Sequence, residues 1–202
     1  MCKHDVCYQI KQQGGYGGIA VMCCNKYKFK NGNTENVVLL GLEKYGTNAN
    51  KWTLCAGKMD RKDNGCFLKN AAHELFEETK VKTMKMSTNG KKMEVDWKVL
   101  DKYLKWDDGN FKWYIHHSSD QKYHTPIFIA KFTGKSSRKL NIIVNEHNNN
   151  KNLDNCYKEI AALKWFRLSD GLPIDGTKNT TLSSFAVRMI NNMKLLNVSF
   201  LN

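Results

Sequence analysis

Glu74, Glu77 and Glu78 stand at i, i+3 and i+4, a spacing that gathers three carboxylates within about 100° of one helix face. Like charges so placed destabilise a helix by roughly 0.2–0.5 kcal/mol per pair, so a stable helix needs something that offsets them. A hard divalent cation does this. Mg²⁺ or Mn²⁺ takes oxygen ligands, and Mg²⁺ in particular keeps several waters and bridges phosphate oxygens. The chemistry that follows is hydrolysis of a phosphoanhydride, in which a cation neutralises non-bridging oxygens and stabilises the departing phosphate. Crowding also raises the pKa of one carboxylate, which makes Glu77 and Glu78 candidate bases towards the attacking water. Taken alone, such a charge run more often makes a solvated acidic face.

The elements around the three glutamates must hold them still. Leu68, Ala71, Ala72, Leu75 and Thr79 recur at the spacing of one helical face, which predicts a helix over residues 67–79 with the glutamates on an adjacent arc. A short strand over 52–55 runs into Ala56-Gly57-Lys58 and a polar loop at 60–65 before it. Further upstream, Gly14 to Gly18 reads as a turn, because it lacks the Lys-Ser/Thr ending of a phosphate loop and precedes a strand. Residues 19–24 and 37–42 read as antiparallel strands joined by a turn at 30–33. Downstream, strands are expected at 98–104, 112–115, 125–132 and 163–168, and a mobile insertion at 145–155. A last helix is capped by Thr181 or Ser183, with Phe185, Val187, Met189, Ile190, Met193 and Leu196 as its apolar face. This order of elements implies an α+β chain, an α/β/α sandwich with a mixed central sheet. Residues 1–202 are expected to form one domain, a size that can bury a substantial core.

The segment Gly57-x5-Asp63-x9-His73-Glu74-Leu75-x-Glu77-Glu78-x-Lys80-Val81 resembles the Nudix box, G-x5-E-x7-R-E-U-x-E-E-x-G-U, where U is apolar. Asp63 stands for the first Glu, the loop is two residues longer, His73 replaces Arg and Lys80 replaces the closing Gly. The core Glu-Leu-x-Glu-Glu is intact. The resemblance implies the Nudix sandwich fold, with Glu74, Glu77 and Glu78 as ligands of Mg²⁺ or Mn²⁺. His73 takes the place of the arginine that orients the glutamates, and a histidine offers one hydrogen bond where arginine offers a fork.

A second segment, Glu159-Ile160-x-x-Leu163-x-Trp165-Phe166-x-Leu168 followed by Leu172-Pro173, resembles the region downstream of the Nudix box in mRNA-decapping enzymes of eukaryotes and large DNA viruses. Gly57-Lys58-Met59 is also similar to that group's motif. The resemblance implies Glu159 as a fourth carboxylate, acting as ligand or base, with Glu146 and Asp120 competing for the place. Gly57, Lys58, Trp52 and His73 are the candidate substrate-binding residues, and Trp165 reads as a core anchor on a strand. Capped RNA is then the expected substrate. Small nucleoside polyphosphates and diphosphoinositol polyphosphates are the alternative, and a non-catalytic nucleotide- or RNA-binding protein is the third reading.

Composition bounds these readings without choosing among them. The net charge of +13 suits an anionic partner, but 28 of the 32 basic residues are lysine and four arginine, which gives diffuse attraction more than shaped phosphate recognition. Trp97, Trp106, Trp113 and Tyr114 are aromatics that could stack a base. Seven cysteines at irregular spacings read as thiols, not as a disulfide framework or a zinc site. His116 and His117 on a strand point to opposite faces, so the two do not share an ion with His124. No apolar run approaches the roughly 20 residues that span a bilayer, and the first residues lack a signal-peptide pattern, so a cytoplasmic location with no membrane partner is expected.

Overall fold

The computed structural model describes residues 5–12, 18–59, 65–79, 83–88, 91–96, 111–117, 124–131, 137–152 and 158–195. The strand expected at 98–104, most of the glycine turn, Asp63, Lys80, Asp120, Trp97, Trp106 and Leu196 lie outside these residues, as do the side chains of Trp113 and Tyr114.

A mixed sheet lies between two helical layers, the sandwich expected from the order of elements. Its path begins with β1 (Ile19–Lys28) and β2 (Thr34–Glu43), which pair antiparallel through Cys23↔Leu39 to Lys28↔Thr34. The expected two-strand start is therefore present. On its other side β1 pairs in parallel with β8 (His124–Lys131), and β8 pairs antiparallel with β7 (Phe111–His117). β9 (Ile160–Arg167) runs antiparallel along the outer side of β2. Strands β5 (Thr83–Thr88) and β6 (Lys91–Asp96) form a separate antiparallel pair. Ile19 to Cys24 are all buried, which is why this stretch is apolar without alternation: a central strand is covered on both faces.

The strand expected at 52–55 is broken at Leu54. Trp52–Thr53 is β3, on β2 through Gly41↔Thr53 and Leu42↔Trp52, whereas Cys55–Gly57 is β4, on β1 through Ile19↔Gly57 to Val21↔Cys55. The chain thus enters the gap where β1 and β2 diverge, crosses it at Leu54, and delivers Gly57 beside the start of β1.

Alternation along the strands sorts the core into two layers. Ile19, Val21, Cys23, Val37, Leu39, Phe128, Leu163 and Trp165 pack with α1 (Asp5–Gln12), α2 (Phe67–Thr79) and α3 (Ser137–Asn149). Ala20, Met22, Cys24, Val38, Leu40, Ile127, Ile129 and Phe166 pack with α4 (Ser184–Leu195). Ala186, Met189, Ile190 and Met193 are the buried stripe of α4, while Val187 is exposed, against the expectation that it joins the apolar face. Ser183 is the cap: its Oγ accepts the Ala186 N–H at 3.0 Å, leaving Thr181 to accept the Trp52 N–H through its carbonyl.

The expected insertion at 145–155 is corrected by α3, which continues to Asn149. Asn148, inside that stretch, and Asn141, one turn before it, bind the sheet. Asn141 Nδ2 donates to the Leu163 carbonyl at 3.0 Å while its Oδ1 accepts the Leu163 N–H at 2.7 Å, and Asn148 Nδ2 donates to the Ile160 carbonyl at 3.0 Å. Leu140 and Val144, one turn apart and fully buried, supply the apolar contact.

Candidate active site

Helix α2 buries Phe67, Ala71, Ala72 and Leu75 on the sheet, together with Thr79, whose hydroxyl donates back to the Leu75 carbonyl at 2.5 Å. Glu78 extends the same stripe, one turn beyond Leu75, and is only 7% exposed. The sequence places it on an adjacent arc; the structure turns it inward. Glu74 and Glu77, a turn apart, are half-buried at the margin, as is His73.

A buried carboxylate needs partners, and Glu78 has some. Its Oε1 accepts the Ala56 N–H at 3.2 Å, a group that the break at Leu54 brings under the helix. The Cys55 thiol also donates to this carboxyl. Oε2 is buried with no hydrogen-bond partner. Burial therefore pushes the Glu78 carboxyl well above its ordinary range; the Ala56 N–H and the thiol oppose this, and the charges of Glu74 and Glu43 add to it. Burial, reinforced chiefly by the Glu78 charge, likewise pushes the Cys55 thiol well up.

Gly57 explains how Glu74 comes close. A Cβ on Gly57 would fall on the Glu74 carboxylate, so the absence of a side chain lets that group lie against the β4 backbone. Lys58, the next residue, is exposed. Glu159 is exposed just before β9, with its carbonyl accepting the Lys44 N–H at 2.9 Å. Glu43 stands near it, at the end of β2 and opposite Ile160. Burial raises the Glu43 carboxyl, a hydrogen bond from Asn48 opposes this, and the Glu159 charge adds to the rise. Sequence reasoning did not single out Glu43, which the pairing of β2 with β9 sets opposite Ile160, next to Glu159. Lys44 is half-buried beside Lys158, and burial first, then the second charge, holds its ammonium below the usual range.

Other candidates are placed elsewhere. Trp52 is buried in the α4 layer, its ring 5.3 Å from that of Phe166 and with Lys164 Nζ 5.4 Å above it. Trp165 is a buried core residue, as its strand position suggested. Glu146 is exposed on α3. His117 and His124 face each other across β7 and β8, Nδ1 to Nδ1 at 2.6 Å, while the His116 ring lies 6.0 Å from that of Phe185 on α4. The two adjacent histidines do take opposite faces. Among the described residues, no three His, Cys, Asp or Glu side chains are gathered closely enough to hold a metal ion, and no helix is long and apolar enough to cross a membrane.

The fold and site together describe a mixed-sheet sandwich with a carboxylate-bearing helix packed beside a split in the sheet. No family model matches the sequence, and no curated protein matches it significantly. Similar solved structures include the NUDIX domain of Shewanella oneidensis NrtR complexed with ADP ribose, at 11% identity and TM-score 0.46, covering 98% of this chain and 99% of that one. A MutT/nudix family protein from Enterococcus faecalis is similar at 12% identity and TM-score 0.46, covering 98% and 70%. NrtR of Shewanella oneidensis complexed with a 27mer DNA is similar at 13% identity and TM-score 0.44 over 89% of this chain. This chain spans 61% of that longer protein, under two thirds of its length. Likeness at this level says nothing about the reaction of this chain.

Proposed function

We propose that the chain is a Nudix-type hydrolase that cleaves a phosphoanhydride bond with the help of Mg²⁺ or Mn²⁺. The observation that carries this reading is the buried, partnerless Oε2 of Glu78 beside the Glu74 carboxylate, on a helix stripe that is otherwise committed to the core. An ordinary solvated acidic face would turn these oxygens to water, whereas leaving one buried without a partner costs about 1–3 kcal/mol or more. The donor type suits a hard cation, since the groups offered are carboxylate oxygens; among the described residues these side chains are not gathered into a ready-made cluster, so binding has to draw them together. Glu74, Glu77 and Glu78 would hold it. When bound, the cation supplies neutralisation of phosphate oxygens and stabilises the leaving group.

The chain's own residues do the rest. Gly57 leaves room for the Glu74 carboxylate, and the Ala56 N–H fixes the Glu78 carboxyl. Glu78 or Glu77 takes the proton of the attacking water, with Glu159 the further candidate. His73 steadies the cluster from the preceding position on α2, and Lys58, Lys44 and Lys158 attract the polyphosphate.

Capped RNA is the substrate we place first. It is favoured by the segment from Glu159 to Pro173, whose residues resemble the decapping pattern. The test is a panel of capped transcript, nucleoside triphosphates, dinucleoside polyphosphates, ADP-ribose and diphosphoinositol polyphosphates, each with Mg²⁺, Mn²⁺ and EDTA. Release of methylated guanosine diphosphate from capped transcript, lost in EDTA and in Glu78→Gln, is the expected result. Turnover confined to the small substrates overturns the RNA assignment and keeps the hydrolase. No turnover on any member, with binding retained, makes the chain a binding protein.

A further inference from the structure

Helix α1 is eight residues long, shorter than the roughly 12–15 residues an isolated helix needs to persist in water. Its order therefore depends on what it docks against. Cys7 and Ile10, three apart on one face, are buried in the α2 layer of the core, whereas Tyr8, Lys11 and Gln12 are exposed. The docking point is the start of α2. Cys66 stands just before Phe67, and its carbonyl accepts the Asn70 N–H at 3.0 Å, the opening bond of the helix that carries Glu74, Glu77 and Glu78.

Two contacts join the elements there. The Cys7 and Cys66 sulfurs face each other at 3.9 Å, and one turn further along α1 the Lys11 ammonium lies 3.3 Å from where a Cβ on Gly65 would stand. Gly65 has φ 69°, so the turn that delivers Cys66 to Cys7 is one that glycine favours. Both cysteines are free thiols. From 3.9 Å, the sulfurs need to close by about 1.9 Å to reach the roughly 2.05 Å of a disulfide. The two residues are 59 positions apart, and a bond across so long a loop restrains the unfolded chain strongly.

We infer that Cys7 and Cys66 form a redox-sensitive pair, whose oxidation by a peroxide to a disulfide fastens α1 to the start of α2. The inference is independent of the hydrolase reading. Cys66 is 6% exposed against 1% for Cys7, so it is the sulfur that a small oxidant meets. Its thiolate attacks one peroxide oxygen, the O–O bond breaks, and the sulfur becomes a sulfenic acid while the other oxygen takes up the thiol proton and leaves as water. The Cys7 thiolate then attacks that sulfur, the S–O bond breaks, and a second water leaves. The two thiols have given two electrons and two protons to one peroxide. A dithiol reductant reverses the bond by exchange and is itself oxidised to a disulfide.

The experiment treats the full, reduced chain with a dose series of hydrogen peroxide, blocks remaining thiols under denaturing conditions, and maps tryptic peptides by mass. Cleavage after Lys3, Lys11, Lys62 and Lys69 leaves Cys7 and Cys66 in separate peptides, residues 4–11 and 63–69, each with one cysteine. These two peptides are expected to be joined, and the link to be lost in dithiothreitol. The oxidised chain should melt higher than the reduced one by roughly 5 °C or more. Cys7→Ala and Cys66→Ala should each lose both the link and the rise, while Cys2→Ala keeps both. The mapping on wild type stands whether or not the variants fold. Joining of either peptide to one that holds another cysteine overturns the pairing, as does conversion of Cys66 to sulfinic acid with Cys7 still a thiol. Persistence of both thiols at a dose that consumes glutathione in the same tube overturns it too. A link with an unchanged melting temperature overturns the fastening of α1.

Discussion

Two polar groups, Ser183 on the α4 face of the sheet and Glu78 on the α2 face, are buried in opposite ways. On the α4 face, Ser183 Oγ donates to Thr53 Oγ1 at 3.0 Å while accepting the Ala186 N–H, so the hydroxyl that ties helix to strand is used on both sides. On the α2 face, Glu78 has one oxygen anchored to Ala56 and one without a partner. Satisfied polar groups add order to a core, and unsatisfied ones lower its stability. The Ser183 hydroxyl thus adds stability on the α4 face, whereas the Glu78 carboxyl sets within the α2 face a local cost that the Ala56 N–H offsets in part and a cation would offset further.

The sharpest way to break this contrast is to remove matter from the α4 face. Phe166 is fully buried there, between Trp52 and the α4 stripe. Phe166→Ala is expected to cost about 3–5 kcal/mol, read from urea denaturation. A loss below about 1 kcal/mol would show that this face is not the stabilising one.

Glu78→Gln tests the other side. Activity is expected to fall by about 10²–10⁴-fold, measured as kcat on whichever panel substrate turns over. Stability in EDTA should move the opposite way. The folded Glu78 carboxyl titrates above its ordinary 4.5, so its contribution is fully present below that value and is lost as pH rises through the folded pKa. The melting temperature of wild type in EDTA should therefore fall relative to Glu78→Gln as pH rises above the ordinary carboxyl range. A difference that is flat with pH would place Glu78 in water, not in the core.

Gly57→Ala sharpens the contrast within one residue. The group that a Cβ would meet is the end of the Glu74 side chain, which can swing away. The fold should lose about 1 kcal/mol by chemical denaturation, at the low end of the cost of an added methyl group, because the Glu74 side-chain end can move, while Mn²⁺ affinity falls by about tenfold or more. Equal and large losses in both would make Gly57 a packing residue.

How much of this was legible in the sequence follows from the range of the interactions. The helix over 67–79, strands β1 and β2 and the α4 helix rest on local apolar periodicity, so they could be read. The inward turn of Glu78 could not, because the Ala56 N–H that receives it is set by the break at Leu54 between pairing to β2 and pairing to β1. Helix α3 was hidden for a related reason: Asn148 to Asn150 are turn-formers by type, and Asn148 here bonds the β9 backbone, a partner that local pattern does not reveal. Glu43 carried no signal at all, since nothing local distinguishes a strand-end glutamate from a solvated one. Trp52 misled because its position just before the glycine loop suggests contact with a ligand, whereas the pairing of β3 directs its ring to the α4 layer.

Ser183→Ala gives the smallest effect and the cleanest statement of what the α4 face does. The serine caps the helix through the Ala186 N–H and donates to Thr53; alanine leaves both the N–H and the Thr53 oxygen to find other partners. Loss of such a cap costs about 0.5–2 kcal/mol, and burial of Ser183 keeps water from replacing it. The variant should thus unfold at lower denaturant while Mn²⁺ affinity and kcat stay at wild-type values, since the bond lies on the opposite side of the sheet from the glutamates. If the double variant Ser183→Ala/Thr53→Val is as unstable as the sum of the two single changes, the hydroxyl pair is not coupled, and the cap alone accounts for the loss. If it is less unstable than that sum, the strand-to-helix bond is part of what keeps this face ordered while the other carries the carboxylates.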